Sequence, residues 1–198
     1  MALSSGTQAS TYAAIEFARD GRRVDIRALR PEDKDDLIAA YERVSSKTAY
    51  QRFFAVRHHF SEAEVAFFTE VDFASHVALA ALVDEGGKPT IVGAGRYVAY
   101  APGCAEMAFC IVDAYQGHGI GSALLRHIIA IAERAGLLEL TAEVLADNAA
   151  MLAVFAQCIP PHSLRREGTV VHVTVHLAAN RPAGNVARAC NAGQSEHF

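Results

Sequence analysis

The stretch Ala105-Glu106-Met107-Ala108-Phe109-Cys110-Ile111-Val112-Asp113-Ala114-Tyr115-Gln116-Gly117-His118-Gly119-Ile120-Gly121-Ser122-Ala123-Leu124-Leu125 decides how this chain folds. Its first half reads as a strand, and Ile120, Leu124, Ile128 and Ile131 keep helical spacing beyond it. The turn Gln116-Gly117-His118-Gly119-Ile120-Gly121 joins the two. Glycine lets the backbone come close to a ligand, and the first amides of a helix have no partner within it. A turn of this kind is an anion site, and pyrophosphate is its usual guest.

Outward from that turn, the pattern is an α/β mixture. Strands are expected at His76–Val83, Thr90–Ala99 and Ala105–Val112, with Glu85-Gly86-Gly87-Lys88 turning between the first two. Upstream, Ile15-Glu16-Phe17 and Val24-Asp25-Ile26-Arg27 form a hairpin around Asp20-Gly21. Pro31, Glu32 and Asp33 start a helix that buries Leu37, Ile38 and Tyr41, and Ser61 with Glu64 has capping-box spacing for a second. Downstream, the helix from about Gly119 to Ala135 ends at Gly136. A strand at Leu138–Leu145, a helix from about Asn148 to Gln157 and a hairpin turning at Gly168 close the order. The fold class is α/β (α+β): a mixed, mostly antiparallel sheet flanked by helices, with one βαβ unit late in the chain. Residues 1–10 are expected to be flexible, 11–178 to form one domain, and 179–198 to be a disordered tail.

Composition narrows the function. Among 198 residues, Lys+Arg 18 stands against Asp+Glu 22, a net charge of −4 with His neutral. That balance argues against a nucleic-acid partner, which asks for a basic face, and against a polybasic membrane surface. No apolar run approaches the roughly 20 residues of a membrane span, and the first ten residues lack a secretion signal. The four cysteines (Cys104, Cys110, Cys158, Cys190) show no CxxC pair, so no disulfide framework or zinc ribbon is indicated and a reducing cytoplasm is expected.

Three readings of the glycine turn compete. A dinucleotide fingerprint needs G-x-G-x-x-G after the first strand of a doubly wound unit, but Ser122 stands at the third glycine and antiparallel strands precede the turn. A ligand-free turn is the second, and Q-x-x-G-x-G, an acyl-CoA pyrophosphate loop, the third. On Gln116–Gly121 the chain resembles the GNAT superfamily of N-acetyltransferases, across roughly Val24 to Leu177. Ser46, Tyr50-Gln51-Arg52-Phe53-Phe54, Val71-Asp72, Ala105-Glu106-Met107-Ala108-Phe109 and Val144-Leu145-Ala146-Asp147-Asn148 are similar to the Pat-type protein lysine acetyltransferases. Those enzymes modify a lysine of AMP-forming acyl-CoA synthetases.

The resemblance implies a GNAT acyltransferase fold with acetyl-CoA as co-substrate and no metal. It places main-chain contacts to the pantetheine arm and thioester on Phe109, Cys110 and Ile111, and a pyrophosphate cradle on Gln116, Gly117, His118, Gly119, Ile120, Gly121 and Ser122. Asn148 matches the family's polar contact to the cofactor arm. Glu106 matches the family's general base, and on a strand it shares a face with Ala108 and Cys110. A lysine with pKa of about 10.4 must lose a proton before it attacks. The implied acceptor is a protein lysine; a small amine, or an acyl-CoA sensor that transfers nothing, are the alternatives. Phe155 departs from the pattern, because many members carry a tyrosine there to protonate the leaving thiolate. Cys158-Ile159-Pro160-Pro161 departs as well.

Other chemistry-bearing residues read as structural. Cys110 has no histidine near it in sequence and reads as core. His172, Thr174 and His176 read as the polar face of a half-buried strand, His58-His59 as a loop pair, and Gly86-Gly87-Lys88 as a hairpin turn. His118 would skirt the phosphates, and Arg52 is either a bridge between helices or part of an acceptor surface.

Overall fold

A computed structural model describes residues 5–55, 59–157 and 161–178. Eight strands form one sheet in the order β1-β2-β3-β4-β5-β6-β8-β7, flanked by six α-helices. β1 (Ala13–Phe17) and β2 (Arg23–Ala28) make the expected hairpin, with Ile15 opposite Asp25. β3 (His76–Glu85), β4 (Lys88–Ala101) and β5 (Cys104–Ile111) continue antiparallel. The crossover helix α5 (Ile120–Arg134) then returns the chain to β6 (Glu139–Leu145), which lies parallel to β5. After α6 (Ala149–Ala156), β7 (His162–Glu167) and β8 (Val170–His176) close the far edge.

The two faces of the sheet are covered differently. Val77 to Ala81 of β3 are fully buried, because helices lie on both of its sides. α5 packs against β4 and β5, and close approach there needs glycine. A Cβ on Gly95 would lie 2.7 Å from the Phe109 ring, and one on Gly93 2.6 Å from Ile111 Cδ1. On the opposite face lie α2 (Lys34–Glu42), α3 (Ser46–Phe53) and α4 (Glu62–Thr69), whose Tyr41, Phe53 and Phe68 pack with Phe60 as an aromatic cluster.

One expectation needs correction. α3 is an additional helix, so three rather than two separate β2 from β3. It buries only Ala49 and Phe53, too little for an apolar stripe to announce it. Ser5–Ser10 form a short helix, α1, and Ala9 joins the hydrophobic core. Among the described residues, Cys110 is a free thiol. Cys158, Ile159, Pro160, His58 and the expected tail at 179–198 lie outside the described residues. Among those described, no helix is long and apolar enough to cross a membrane.

Candidate functional site

The site begins where two parallel strands part. β5 and β6 pair at Cys104 with Glu139, Ala105 with Leu140 and Glu106 with Thr141, and their recorded register stops there. Met107–Ile111 and Ala142–Leu145 diverge beyond that rung. Val112 N donates to Val92 O at 2.9 Å, so alternation along β5 turns the main-chain groups of Cys110 and Ala108 toward β4. The same alternation turns those of Phe109 and Ile111 into the gap. Of the three residues expected to offer main-chain contacts, Phe109 and Ile111 therefore face the opening, while Cys110 belongs to the β4 ladder.

A cleft of about 300 Å³ runs through this gap. Its lining joins the glycine turn, the start of α5 and α6 with Thr48, Gln51, Arg52, Phe53 and Phe54 around α3. Glu106 lines the cleft at the last rung, half-buried, on the sheet face it shares with Ala108 and Cys110. Burial pushes the Cys110 thiol up to about 11, which keeps it from being a thiolate nucleophile.

The glycine turn is built to present amides. Gly117 and Gly119 take φ of 78° and 90°, a region that glycine enters without steric cost. Gly119 caps α5 without a side-chain hydrogen bond, and the first helical bond runs from Ala123 N to Gly119 O at 3.0 Å. The N–H groups of Ile120, Gly121 and Ser122 thus have no acceptor within the helix. Arg19, from the β1–β2 hairpin, takes the turn's carbonyls. Its N donates to His118 O at 2.9 Å and its Nη1 to Gly117 O at 3.3 Å. With the carbonyls turned to Arg19, the turn offers donors and a guanidinium to the cleft, the chemistry a pyrophosphate requires. His118 sits beside Asp20, Nδ1 to Oδ2 at 3.3 Å, rather than inside the cleft lining. Hydrogen bonding from Arg22 N leads the causes that hold the Asp20 carboxyl below its usual range.

Two expected ligand contacts have structural work as well. Gln116 Nε2 donates to Thr48 Oγ1 at 3.1 Å and to Ile111 O at 3.0 Å, tying α3 to the end of β5. Asp113 completes that tie, accepting from Ser45 Oγ at 2.7 Å, Ser45 N at 2.8 Å and Thr48 Oγ1 at 3.0 Å. Asn148 caps α6, its Oδ1 accepting from Met151 N at 3.0 Å, so its Nδ2 is what remains to meet a ligand. Neither Asp113 nor Arg19 stands out in the sequence, since each works through partners distant along the chain.

No phenol replaces the one absent at Phe155. That ring is fully buried, edge-on to Phe109 at 6.4 Å. Tyr115 lines the cleft, but its hydroxyl donates to Glu85. The β8 histidines face carboxylates of β6: His172 Nδ1 lies 3.3 Å from Glu143 and His176 Nδ1 3.2 Å from Glu139, a cross-strand polar ladder. Among the described residues, no group of three or more His, Cys, Asp or Glu is arranged to hold a metal.

Known proteins give the same picture. Residues 39–158 match the acetyltransferase (GNAT) family. Acetyltransferase PA5475 of Pseudomonas aeruginosa is 34% identical over 75% of this chain and 84% of its own length. Acetyltransferase Pat of Mycolicibacterium smegmatis is 34% identical over 67% of this chain, which spans 40% of that longer protein. The crystal structure of the GNAT domain of S. lividans PAT superposes with a TM-score of 0.75 at 35% identity, covering 83% of this chain and 97% of that one. The chain belongs to the GNAT family of acetyltransferases.

Proposed function

We propose that the chain transfers the acetyl group of acetyl-CoA to a lysine side chain of a protein, with AMP-forming acyl-CoA synthetases as the first acceptors to test. The observation that carries this reading is the position of Glu106, at the rung where β5 and β6 part and in the lining of the cleft. The residues present fit acetyl-CoA. Ile120, Gly121 and Ser122 amides, with Arg19, would hold the pyrophosphate; Phe109 and Ile111 main-chain groups and Asn148 Nδ2 would hold the arm. The Ile111 or Phe109 N–H facing the gap is the donor that would steady charge on the thioester oxygen. The acceptor amine would enter past α3, and Glu106 would take its proton directly or through water. Acetyl-CoA supplies an activated acyl carbon; every other role falls to these residues.

Glu106→Gln keeps the shape of the site and removes the base. Acetyl-CoA binding should persist while thiol release slows by about a hundredfold or more. Turnover near that of the native protein would overturn the assignment. Mass mapping of acetylated lysines on an acyl-CoA synthetase identifies the acceptor, and comparable rates on polyamines or free amino acids would favour a small amine. The buried, hydroxyl-free Phe155 favours a second reading, an acyl-CoA sensor. A sensor binds the thioester and releases no thiol with any acceptor.

A further inference from the structure

A second cavity, of about 70 Å³, lies behind the cleft, and Arg52, Phe53, Ala108 and Cys110 line both. Its wall includes Arg96, which stands on β4 directly opposite Ala108 and is only 7% exposed. All the partners of this guanidinium are neutral. Nη1 lies 3.1 Å from His76 Nε2, Nη2 donates to Phe68 O at 3.4 Å, and the group sits 4.6 Å from the Phe68 ring centre. Burial holds His76 down at about 4, so it stays uncharged near neutrality. Among the described residues no carboxylate pairs with Arg96. The other well-shielded guanidinium is treated differently: Arg27 Nη1 and Nη2 reach both oxygens of Asp33, at 2.6 and 2.7 Å. Buried charges are paired as a rule, because an isolated one loses its hydration without compensation. The planar fork of Arg96 suits a carboxylate, and the cavity it lines would hold one within its reach.

The neighbours of the cavity limit what can carry that carboxylate. Ala108 and Cys110, which line both spaces, alternate along β5 with Phe109 and Ile111, whose main-chain groups face the gap. An acyl group on a thioester held in the gap lies beside the cavity, with the small Ala108 side chain between them and Arg96 on the paired position of β4. The volume suits a short acid. We propose that this cavity is a carboxylate subsite, taking the far carboxylate of a short dicarboxylic acyl group, malonyl or succinyl in chemistry, carried as its CoA thioester in the adjoining cleft. The inference rests on the acyl-CoA reading of that cleft. In the transfer, the amine nitrogen bonds to the thioester carbonyl carbon, and the C–S bond breaks with its electron pair going to sulfur. The amine's proton passes through Glu106 and water to the thiolate. The product is an N-carboxyacyl amine plus free CoA thiol, and the far carboxylate is unchanged.

Calorimetric titration of the whole protein compares malonyl-CoA with butyryl-CoA and succinyl-CoA with valeryl-CoA, with acetyl-CoA as the standard. At least one charged thioester should bind about tenfold tighter than its uncharged counterpart, the scale of one charge-assisted hydrogen bond. Arg96→Met should abolish that preference, and Arg96→Lys should restore part of it. Equal binding within both pairs, or a preference that survives Arg96→Met, overturns the subsite. If Arg96→Met does not fold, the native protein's preference decides, and parity there overturns the proposal. Failure of every thioester to bind, acetyl-CoA included, overturns the acyl-CoA reading itself. An Arg96-dependent rise in melting temperature with free malonate or succinate, without preference among thioesters, assigns the carboxylate to another ligand and overturns the acyl assignment.

Discussion

The helices α4 and α5 begin in opposite ways. α4 closes its own end: Ser61 Oγ accepts from Glu64 N at 3.3 Å, and Glu64 Oε2 accepts from Ser61 N at 2.8 Å. Two acids, Glu62 and Glu64, stand in its first turn. α5 begins at Gly119 with no side-chain cap and no acid in its first turn. A helix start needs acceptors for its amides and favours negative charge. α4 supplies both from its own sequence, whereas α5 leaves both to an incoming anion. The helix with no proposed ligand is thus sealed, and the one proposed to bind is left open.

Giving α5 the chemistry of α4 should have the largest effect. Gly119→Asp sets a carboxylate beside the proposed pyrophosphate and forces a side chain onto a φ of 90°. Acetyl-CoA affinity should fall by about a hundredfold, from strain and like-charge repulsion together. Equilibrium dialysis checks this, and unchanged affinity would break the comparison.

Acid should act next, and on α4 rather than α5. Phe67 of α4 packs on the His76 ring at 4.8 Å, and Phe68 O accepts from Arg96. Burial and then the Arg96 charge lower the His76 pKa from 6.5 to about 4. Between those values the unfolded chain binds a proton that the folded one does not, so stability falls as pH falls. The loss should reach about 2 kcal/mol by about pH 5 and shrink in His76→Gln, as urea titrations at several pH values can measure.

Removing the seal should cost less. Ser61→Ala should lower stability by about 1 kcal/mol and leave acetyl-CoA affinity intact, measured by denaturation and dialysis on one preparation. The smallest effect is expected at Arg19. Arg19→Ala frees the carbonyl of Gly117 from its side chain, leaves the main-chain bond to His118 O in place and removes one positive charge, weakening acetyl-CoA binding by about threefold. A thermal shift series with acetyl-CoA reads it out. A far larger loss would mean that the guanidinium, and not the amide cradle, carries the anion.

Legibility in the sequence followed the range of the interactions. The strands and α5 declare themselves through period-2 and period-3.6 apolar patterns, and Ser61-Glu64 and Asp20-Gly21 act within a few residues. α3 is hidden because few of its residues are apolar and its anchor, Asp113, lies 68 positions from Ser45. Arg19 reaches Gly117 across 98 positions, so no local pattern could couple them. Gln116 and Asn148 are visible as residue types, but their side chains also serve as a brace and a cap, tasks that only the assembled neighbours define. The site itself depends on where the β5–β6 pairing ends, which is a property of two strands and the helix between them.

That ending has a mechanical consequence. Among the described residues, the edge unit β6-β8-β7 is stitched to the rest of the sheet by the rungs Cys104–Glu139, Ala105–Leu140 and Glu106–Thr141 and by Leu138 N and Glu139 N on Gly103 O, all at one end of the seam. Such a seam behaves as a hinge, and its open end is free to breathe. A ligand lying along the gap and bonding to both margins would act as a clasp. Amide hydrogen exchange at Phe109, Ile111 and the second half of β6 should therefore slow when the cleft is filled, while exchange in β3, locked on both sides, should hardly change.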